Sequence, residues 1–325
     1  MSMVHHAGLG VSLDSSVSFE ALSVWDAAIQ AMLDLEAGSI ANPTENRRVG
    51  HYWLRNPKLA SDEYALAIRS SWERLEILSS QLKDRGFSEL LMVGIGGSAL
   101  GPQLLVDALS TRNMRVSFLD NTDPDGIDRV LSHLNLAKTV VAVLSKSGGT
   151  KETRNAMLET EHAYRKQGLL FANHAVAITV EGSKLYQLAT DESWLGTLPL
   201  WNWVGGRTSI TGMVGLFPLA LMGRDWKGFI QGAKEMDDWT RDLSLKNPAL
   251  QLANLWWKEG NGRGDRNMVV LPYKDALGLF GRYLQQLIME SLGKKQDLDG
   301  KTVHQGLTVY GNKGSTDQHA FVQQL

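Results

Sequence analysis

The spacing of apolar positions changes period several times along this chain, and each change marks an element. Between Asp62 and Leu82, the residues Leu66, Trp72, Leu75, Leu78 and Leu82 recur at helical spacing and predict an amphipathic helix with one buried face. Phe19 to Leu35 has the same character. From there, short apolar runs alternate with helical patterns. Glu89–Ile95, Arg115–Asp120, Thr139–Leu144, Ala175–Val180 and, after a gap, Asn267–Leu271 are the expected strands. The run from Val140 to Leu144 has no polar alternation, as a parallel strand covered on both faces requires. The expected fold class is therefore α/β, a doubly wound parallel sheet that takes ligands at the carboxyl ends of its strands.

Trp226 to Asp242 predicts a connecting helix with a polar face, and Pro248 opens a further helix carrying Leu252, Leu255, Trp256 and Trp257. A second α/β unit then begins, with one strand, a long helix over Phe280–Leu292 and a polar loop. The chain stops at Leu325 on an apolar turn, which reads as a cut inside a domain. A length of 325 residues suits about two domains of ~100–200 residues each. The expected division is an N-terminal helical segment over 1–45, a first domain over 46–242 and an incomplete second domain over 243–325.

Composition narrows the chemistry. Hydrophobic content of 43% and charged content of 21% describe an ordinary globular core. A net charge of −2 gives no basic field for nucleic acid. With no cysteine, disulfides, thiolate metal sites and cysteine nucleophiles are excluded, and the eight histidines show no metal-ligand spacing. No apolar run approaches the ~20 residues of a membrane span. The N-terminus lacks a charged segment leading into an apolar one, so the cytoplasm is the default location.

Five segments carry candidate chemistry. Gly94-Ile-Gly-Gly-Ser98 follows a strand and opens a helix, where glycines let the backbone approach an anion at the helix start. Alone, this loop also fits a dinucleotide fingerprint through Gly94, Gly96 and Ala99, with Asp120 as the ribose-binding acid. Ser145-Lys-Ser-Gly-Gly-Thr150 shifts the balance. Three hydroxyls, a lysine and two glycines before a helix suit a phosphomonoester, which needs several donors and a counter-charge. Thr150 and Thr153 also suit helix capping. In Val204-Gly-Gly-Arg207, two glycines free the backbone to aim a guanidinium at an oxyanion. Gln286 and Glu290, four apart, lie on one helix face, and the apolar residues around Glu290 are expected to desolvate its carboxylate and raise its pKa, as a general base needs. Finally, the polar turn from Gly311 delivers Gln318 and His319 to a helix start.

Taken in order, GIGGSALGP, SKSGGTKET, VGGRTS, QQLIMESLGK and DQHAF resemble the glucose-6-phosphate isomerase family, built from two sugar-isomerase domains, from about His51 to the end. The resemblance implies a cytosolic, glycolytic, homodimeric enzyme that interconverts glucose 6-phosphate and fructose 6-phosphate without metal or cofactor. It implies that Gly97 and Ser98 border the sugar and that Ser145, Lys146, Ser147 and Thr150 hold its phosphate. Glu290 matches the base that moves a proton between C1 and C2 through a cis-enediol, Arg207 the residue that stabilises the enediolate, and Gln286 a substrate contact. His319 matches a ring-opening residue that reaches the site from the partner subunit. Thr208 departs from the pattern, since the family usually has an aromatic residue there. The family also continues past the last motif to a C-terminal lysine that assists ring opening. This polypeptide alone is therefore expected to be inactive or nearly so. A non-catalytic phosphosugar-binding module on the same fold is the competing expectation, and it would need neither Arg207 nor Glu290.

Overall fold

Every residue of Thr139–Leu144 is buried, and a five-stranded parallel sheet forms around that strand in the computed structural model. The structure describes residues 2–6, 9–13, 24–42, 46–244 and 246–324. In chain order, β1 (Ser2–His6), β2 (Leu9–Leu13), α1 (Val24–Glu36), α2 (Asp62–Asp84), β3 (Glu89–Val93), α3 (Leu100–Ala108), β4 (Arg115–Leu119) and α4 (Pro124–Ser132) come first. There follow β5 (Thr139–Leu144), α5 (Lys151–Lys166), β6 (Ala175–Thr179), α6 (Lys184–Asp191), β7 (Gly196–Pro199), α7 (Met213–Leu221), α8 (Trp226–Trp239) and α9 (Pro248–Glu259). The last elements are β8 (Met268–Val269), α10 (Phe280–Leu284), β9 (Lys294–Gln296), β10 (Thr302–Gln305), β11 (Val309–Tyr310) and α11 (Gly314–Gln318). They form two compact units, one of Val49–Lys227 and one of Met1–Arg48 with Gly228–Leu325.

In the first unit the strand order is β4-β3-β5-β6-β7, all parallel, with Val93 paired to Leu119 on one side and Val143 on the other. The chain winds outward in both directions from β3 and β5, so a crevice opens between their carboxyl ends. Leu91, Val93, Val141, Val143, Tyr164 and Phe171 share one core cluster. Helix α7 is buried at all nine positions, as a helix apolar all round must be, and packs on α2 and α3. Expected strand ends recede by one or two residues where the chain turns into the loops. The edge strand β7 escapes sequence reading because it is four residues long and ends in a proline.

The expected face of α2 holds at Leu75, Leu78 and Leu82 but fails at Leu66, which is 62% exposed. Nine residues at ~100° each put Leu66 half a turn away from Leu75, and Ile68 fills the core instead. The first-domain boundary drawn at 242 compares with Lys227, where the compact unit ends near the start of α8. Of the helix expected over Phe19–Leu35, residues 19–23 lie outside the described residues and the remainder is α1.

In the second unit, β8 pairs in parallel with β11, β9 with β10 in antiparallel, and β1 with β2 in antiparallel. The single long helix expected over Phe280–Leu292 is interrupted: α10 gives way to a π turn over Gln285–Glu290. Such bulges insert a residue into the α ladder and are frequent at functional sites.

At the amino end of the first sheet, Tyr164 Oη donates to the Thr139 carbonyl at 2.9 Å, and the His174 ring Nδ1 lies 3.0 Å from the same oxygen. A carbonyl only accepts, so Nδ1 carries the proton there. Burial pushes the Tyr164 phenol well above its ordinary range. Burial also lowers the His174 pKa, against a raising contribution from the Thr139 bond, with Arg85 adding to the lowering. The unfolded chain thus takes up a proton at His174 at a higher pH than the native chain does. This contribution to stability is intact above the ordinary imidazole range and is lost as pH falls through the depressed native pKa. Thermal melts from pH 7.5 to 5 check this: the stability gap between wild type and His174→Phe should narrow on acidification. A gap that widens would contradict the assignment.

Candidate functional site

Both glycine-rich turns leave the carboxyl ends of β3 and β5, the two strands that flank the crevice. After β3 the chain turns at Gly94, where an added Cβ would lie 2.9 Å from Ser98 Cβ, and then at Gly96 with φ +60°. A short 3₁₀ turn over Gly96–Ser98 leads into α3 and leaves Gly97 and Ser98 half-buried. The arginine loop is locked onto this turn. A Cβ on Gly97 would stand 2.2 Å from the Gly206 carbonyl carbon, so the two backbones meet with no room for a side chain. Ser209 Oγ donates to the Gly206 carbonyl at 2.8 Å and lies 3.4 Å from that of Gly97. Arg207, half-buried and adjacent to Gly206, is carried to the first turn by this contact. The Thr208 hydroxyl donates back to the Gly205 carbonyl at 3.2 Å.

The second turn is built from its own hydroxyls. Ser145 Oγ accepts from the Gly148 N–H at 3.0 Å and lies 3.3 Å from Thr150 Oγ1; Ser147 Oγ accepts from the Gly149 N–H at 3.0 Å. Thr150 occupies the N-cap position of α5, but its side chain makes no capping bond and is turned to Ser145 instead. Gly148 has φ +71°, and a Cβ there would lie 2.5 Å from the Leu185 nitrogen, so this position admits only glycine. An anion at this turn meets hydroxyl donors, the start of a sixteen-residue helix and the Lys146 charge.

An open cleft of about 450 Å³ adjoins the turn, lined by Lys146, Ser147, Glu181, Ser183, Lys184 and Asn202 among others. Glu181, Ser183, Lys184 and Asn202 had not been singled out from sequence. The signal was present, since Glu-Gly-Ser-Lys after β6 repeats at the next strand end the small-residue-plus-lysine composition of the second turn. Asp120, the candidate ribose acid, accepts from Gln103 Nε2 at 2.8 Å, so its carboxylate already has a protein partner.

The remaining candidates belong to the second unit. Gln286 and Glu290 both lie in the π turn, which packs on β11; Gln286 is half-buried and Glu290 exposed. Glu290 is thus not enclosed by the apolar residues beside it in sequence. Its apolar neighbours Leu287 and Ile288 are themselves only half-buried. A turn with i→i+5 bonding still keeps residues four apart near one side. His319 ends the short helix α11 rather than starting one: its N–H reaches the Thr316 carbonyl at 3.1 Å, and its side chain is exposed. The turn before it is held by buried Asp317, which accepts from the Asn312 N–H at 2.6 Å. Gln318 Nε2 donates to Tyr273 Oη. Among the described residues no group of three or more His, Cys, Asp or Glu side chains could hold a metal ion, and no helix is long and apolar enough to cross a membrane.

A parallel sheet with two glycine-rich turns and a docked arginine loop at its crevice places the chain among the sugar-isomerase α/β folds. Tagatose-6-phosphate ketose/aldose isomerase from Escherichia coli shares that fold, with a TM-score of 0.53 at 17% identity over 83% of this chain and 65% of that one. Residues 18–325 match the family model described as Phosphoglucose isomerase, and the chain belongs to that family. The glucose-6-phosphate isomerase of Trichormus variabilis is 54% identical over 341 residues, which cover 98% of this chain and 65% of the relative. That of Geobacter sulfurreducens is 57% identical over 313 residues, 92% of this chain and 59% of the relative. A crystal structure of a glucose-6-phosphate isomerase from Chlamydia trachomatis superposes with a TM-score of 0.81 at 32% identity, covering 92% of this chain and 61% of that one. The chain thus spans just under two thirds of the length of these relatives.

Proposed function

We propose that this chain supplies the phosphate site and the reacting side chains for the aldose–ketose isomerisation of glucose 6-phosphate and fructose 6-phosphate. The observation that supports it most is the meeting of three loops at one crevice: an anion turn, a glycine turn and an arginine loop whose backbone abuts the latter. Ser145, Lys146, Ser147 and Thr150 hold the phosphate, remote from the reacting carbons, and its binding energy orients them. Gly97 and Ser98 border the sugar, and Gln286 contacts it.

In the open-chain aldose, the Glu290 carboxylate takes the proton from C2. The C2–H electron pair becomes the C1=C2 bond, and negative charge collects on O1, where the Arg207 guanidinium stabilises it. The O2–H proton then moves to O1, the proton held by Glu290 returns to C1, and O2 becomes the carbonyl of the ketose. No electron leaves the substrate. His319 assists ring opening from the partner subunit of a homodimer, and the enzyme works in the cytoplasm as an enzyme of central sugar metabolism. The homodimer and the cytoplasmic site rest on the family resemblance.

Titration calorimetry with the 325-residue chain tests the phosphate assignment. Glucose 6-phosphate should bind and glucose should not, and Lys146→Ala should weaken binding by roughly 10- to 100-fold through loss of a charged donor. Equal binding of the two sugars would overturn the reading.

A further inference from the structure

Thr179 lies outside every segment assigned above, at the carboxyl end of β6, and is 1% exposed. We propose that Thr179 is a positioning residue for the phosphate turn, acting through the Ser145 carbonyl; this rests on the phosphate reading of the Ser145–Thr150 turn. Its hydroxyl donates to the Ser145 carbonyl at 2.6 Å, with the Lys146 carbonyl at 3.3 Å as a weaker branch. Ser183 Oγ lies 2.7 Å from the same hydroxyl and accepts from the Tyr186 N–H at 3.1 Å. One proton order satisfies all of these contacts. Tyr186 N–H donates to Ser183, Ser183 O–H donates to Thr179, and Thr179 O–H is left for the Ser145 carbonyl. The first turn of α6 is thereby wired to the start of the phosphate turn.

The consequence is geometric. A trans peptide sets its N–H opposite its C=O. Holding the Ser145 carbonyl against β6 directs the Lys146 N–H to the opposite side of the turn. The Lys146 carbonyl accepts from the Val180 N–H at 3.4 Å, which directs the Ser147 N–H the same way. Two successive N–H groups aimed to one side make a concavity that favours an anion. Thr179 fixes the first of these peptide planes, and no other side chain donates to that carbonyl among the described contacts. Gly148 packs on the backbone of Leu185, so the far end of the turn rests on the same α6. A valine at 179 keeps the shape and the β-branch but removes the proton that sets the plane.

The test measures the affinity of the full 325-residue chain for inorganic phosphate and for glucose 6-phosphate. Thr179→Val should weaken both by about tenfold, the effect of losing one short hydrogen bond in the path. Thr179→Ser, which restores the hydroxyl without the methyl, should bind within about twofold of wild type, a rescue that packing at this site would not produce. Ser183→Ala, which leaves the Thr179–Ser145 bond but cuts the relay, should lose about threefold. Wild-type affinity in Thr179→Val, or a Thr179→Ser variant as weak as the valine, would overturn the proposal. Should the valine variant fail to fold, Ser183→Ala decides: unchanged affinity overturns it. If the unsubstituted chain binds neither ligand, the phosphate reading itself falls and this inference falls with it. If the unsubstituted chain binds both and Thr179→Val does too, only the inference falls.

Discussion

Replacing Glu290 by glutamine should stop exchange of the substrate C2 proton with solvent while leaving sugar-phosphate binding nearly intact. Glutamine keeps the length and polarity of the side chain but cannot accept a proton from carbon. The expected loss is roughly 10²- to 10⁴-fold, the usual contribution of a positioned general base. With the phosphate on the Ser145–Thr150 turn, as proposed, affinity should stay within a few-fold of wild type, and the loss should fall on turnover rather than on KM. The measurement follows deuterium entering C2 from heavy water, in a polypeptide that carries this sequence and extends to the relatives' full length. Undiminished exchange would remove Glu290 from the role.

A second large effect is expected from a single methyl group. In Gly97→Ala the new Cβ would stand 2.2 Å from the Gly206 carbonyl carbon and 2.3 Å from its oxygen, both backbone atoms that no rotamer can clear. The two loops must separate, which costs about 1–3 kcal/mol as an overpacking strain and moves the arginine loop off the first turn. The reciprocal change is a built-in control. A Cβ on Gly206 has Gly97 Cα at 3.7 Å as its nearest neighbour, an ordinary contact, so Gly206→Ala should be tolerated. Thermal melts with a sugar-phosphate titration check the pair: Gly97→Ala should lower both stability and affinity, Gly206→Ala neither. Equal behaviour of the two variants would mean that the interlock does not position Arg207.

The asymmetry also explains what could be read before any coordinates. The all-apolar run at Val140–Leu144 specified a central parallel strand, and the small-residue turns after β3 and β5 specified the crevice, because backbone freedom and burial are written in residue type. Which glycine is irreplaceable was not written there: Gly97 and Gly206 are alike in sequence and differ only in what stands opposite them. The same holds for Thr179. A threonine closing an apolar strand reads as ordinary β-propensity, and only the pairing of β5 with β6 shows that its hydroxyl meets the Ser145 carbonyl.

Where tertiary winding overrides local pattern, sequence reading failed in understandable ways. Leu66 fitted the helical stripe by composition but not by angle. The stretch Leu284–Glu290 is made largely of helix formers (Leu, Gln, Met and Glu), so nothing in its propensities announces the π turn that holds Gln286 and Glu290. His319 was placed at a helix start because polar residues precede it, whereas buried Asp317 organises the turn and leaves His319 at the helix end.

The central claim is that a phosphomonoester docks on the Ser145–Thr150 turn beside Lys146. Diffraction from crystals of this chain soaked in glucose 6-phosphate tests it most directly. The account predicts phosphorus density within hydrogen-bonding reach of the Ser145, Ser147 and Thr150 hydroxyls, with the sugar running toward Gly97 and Arg207. Phosphate density bound elsewhere, with that turn left to solvent at saturating ligand, would contradict it.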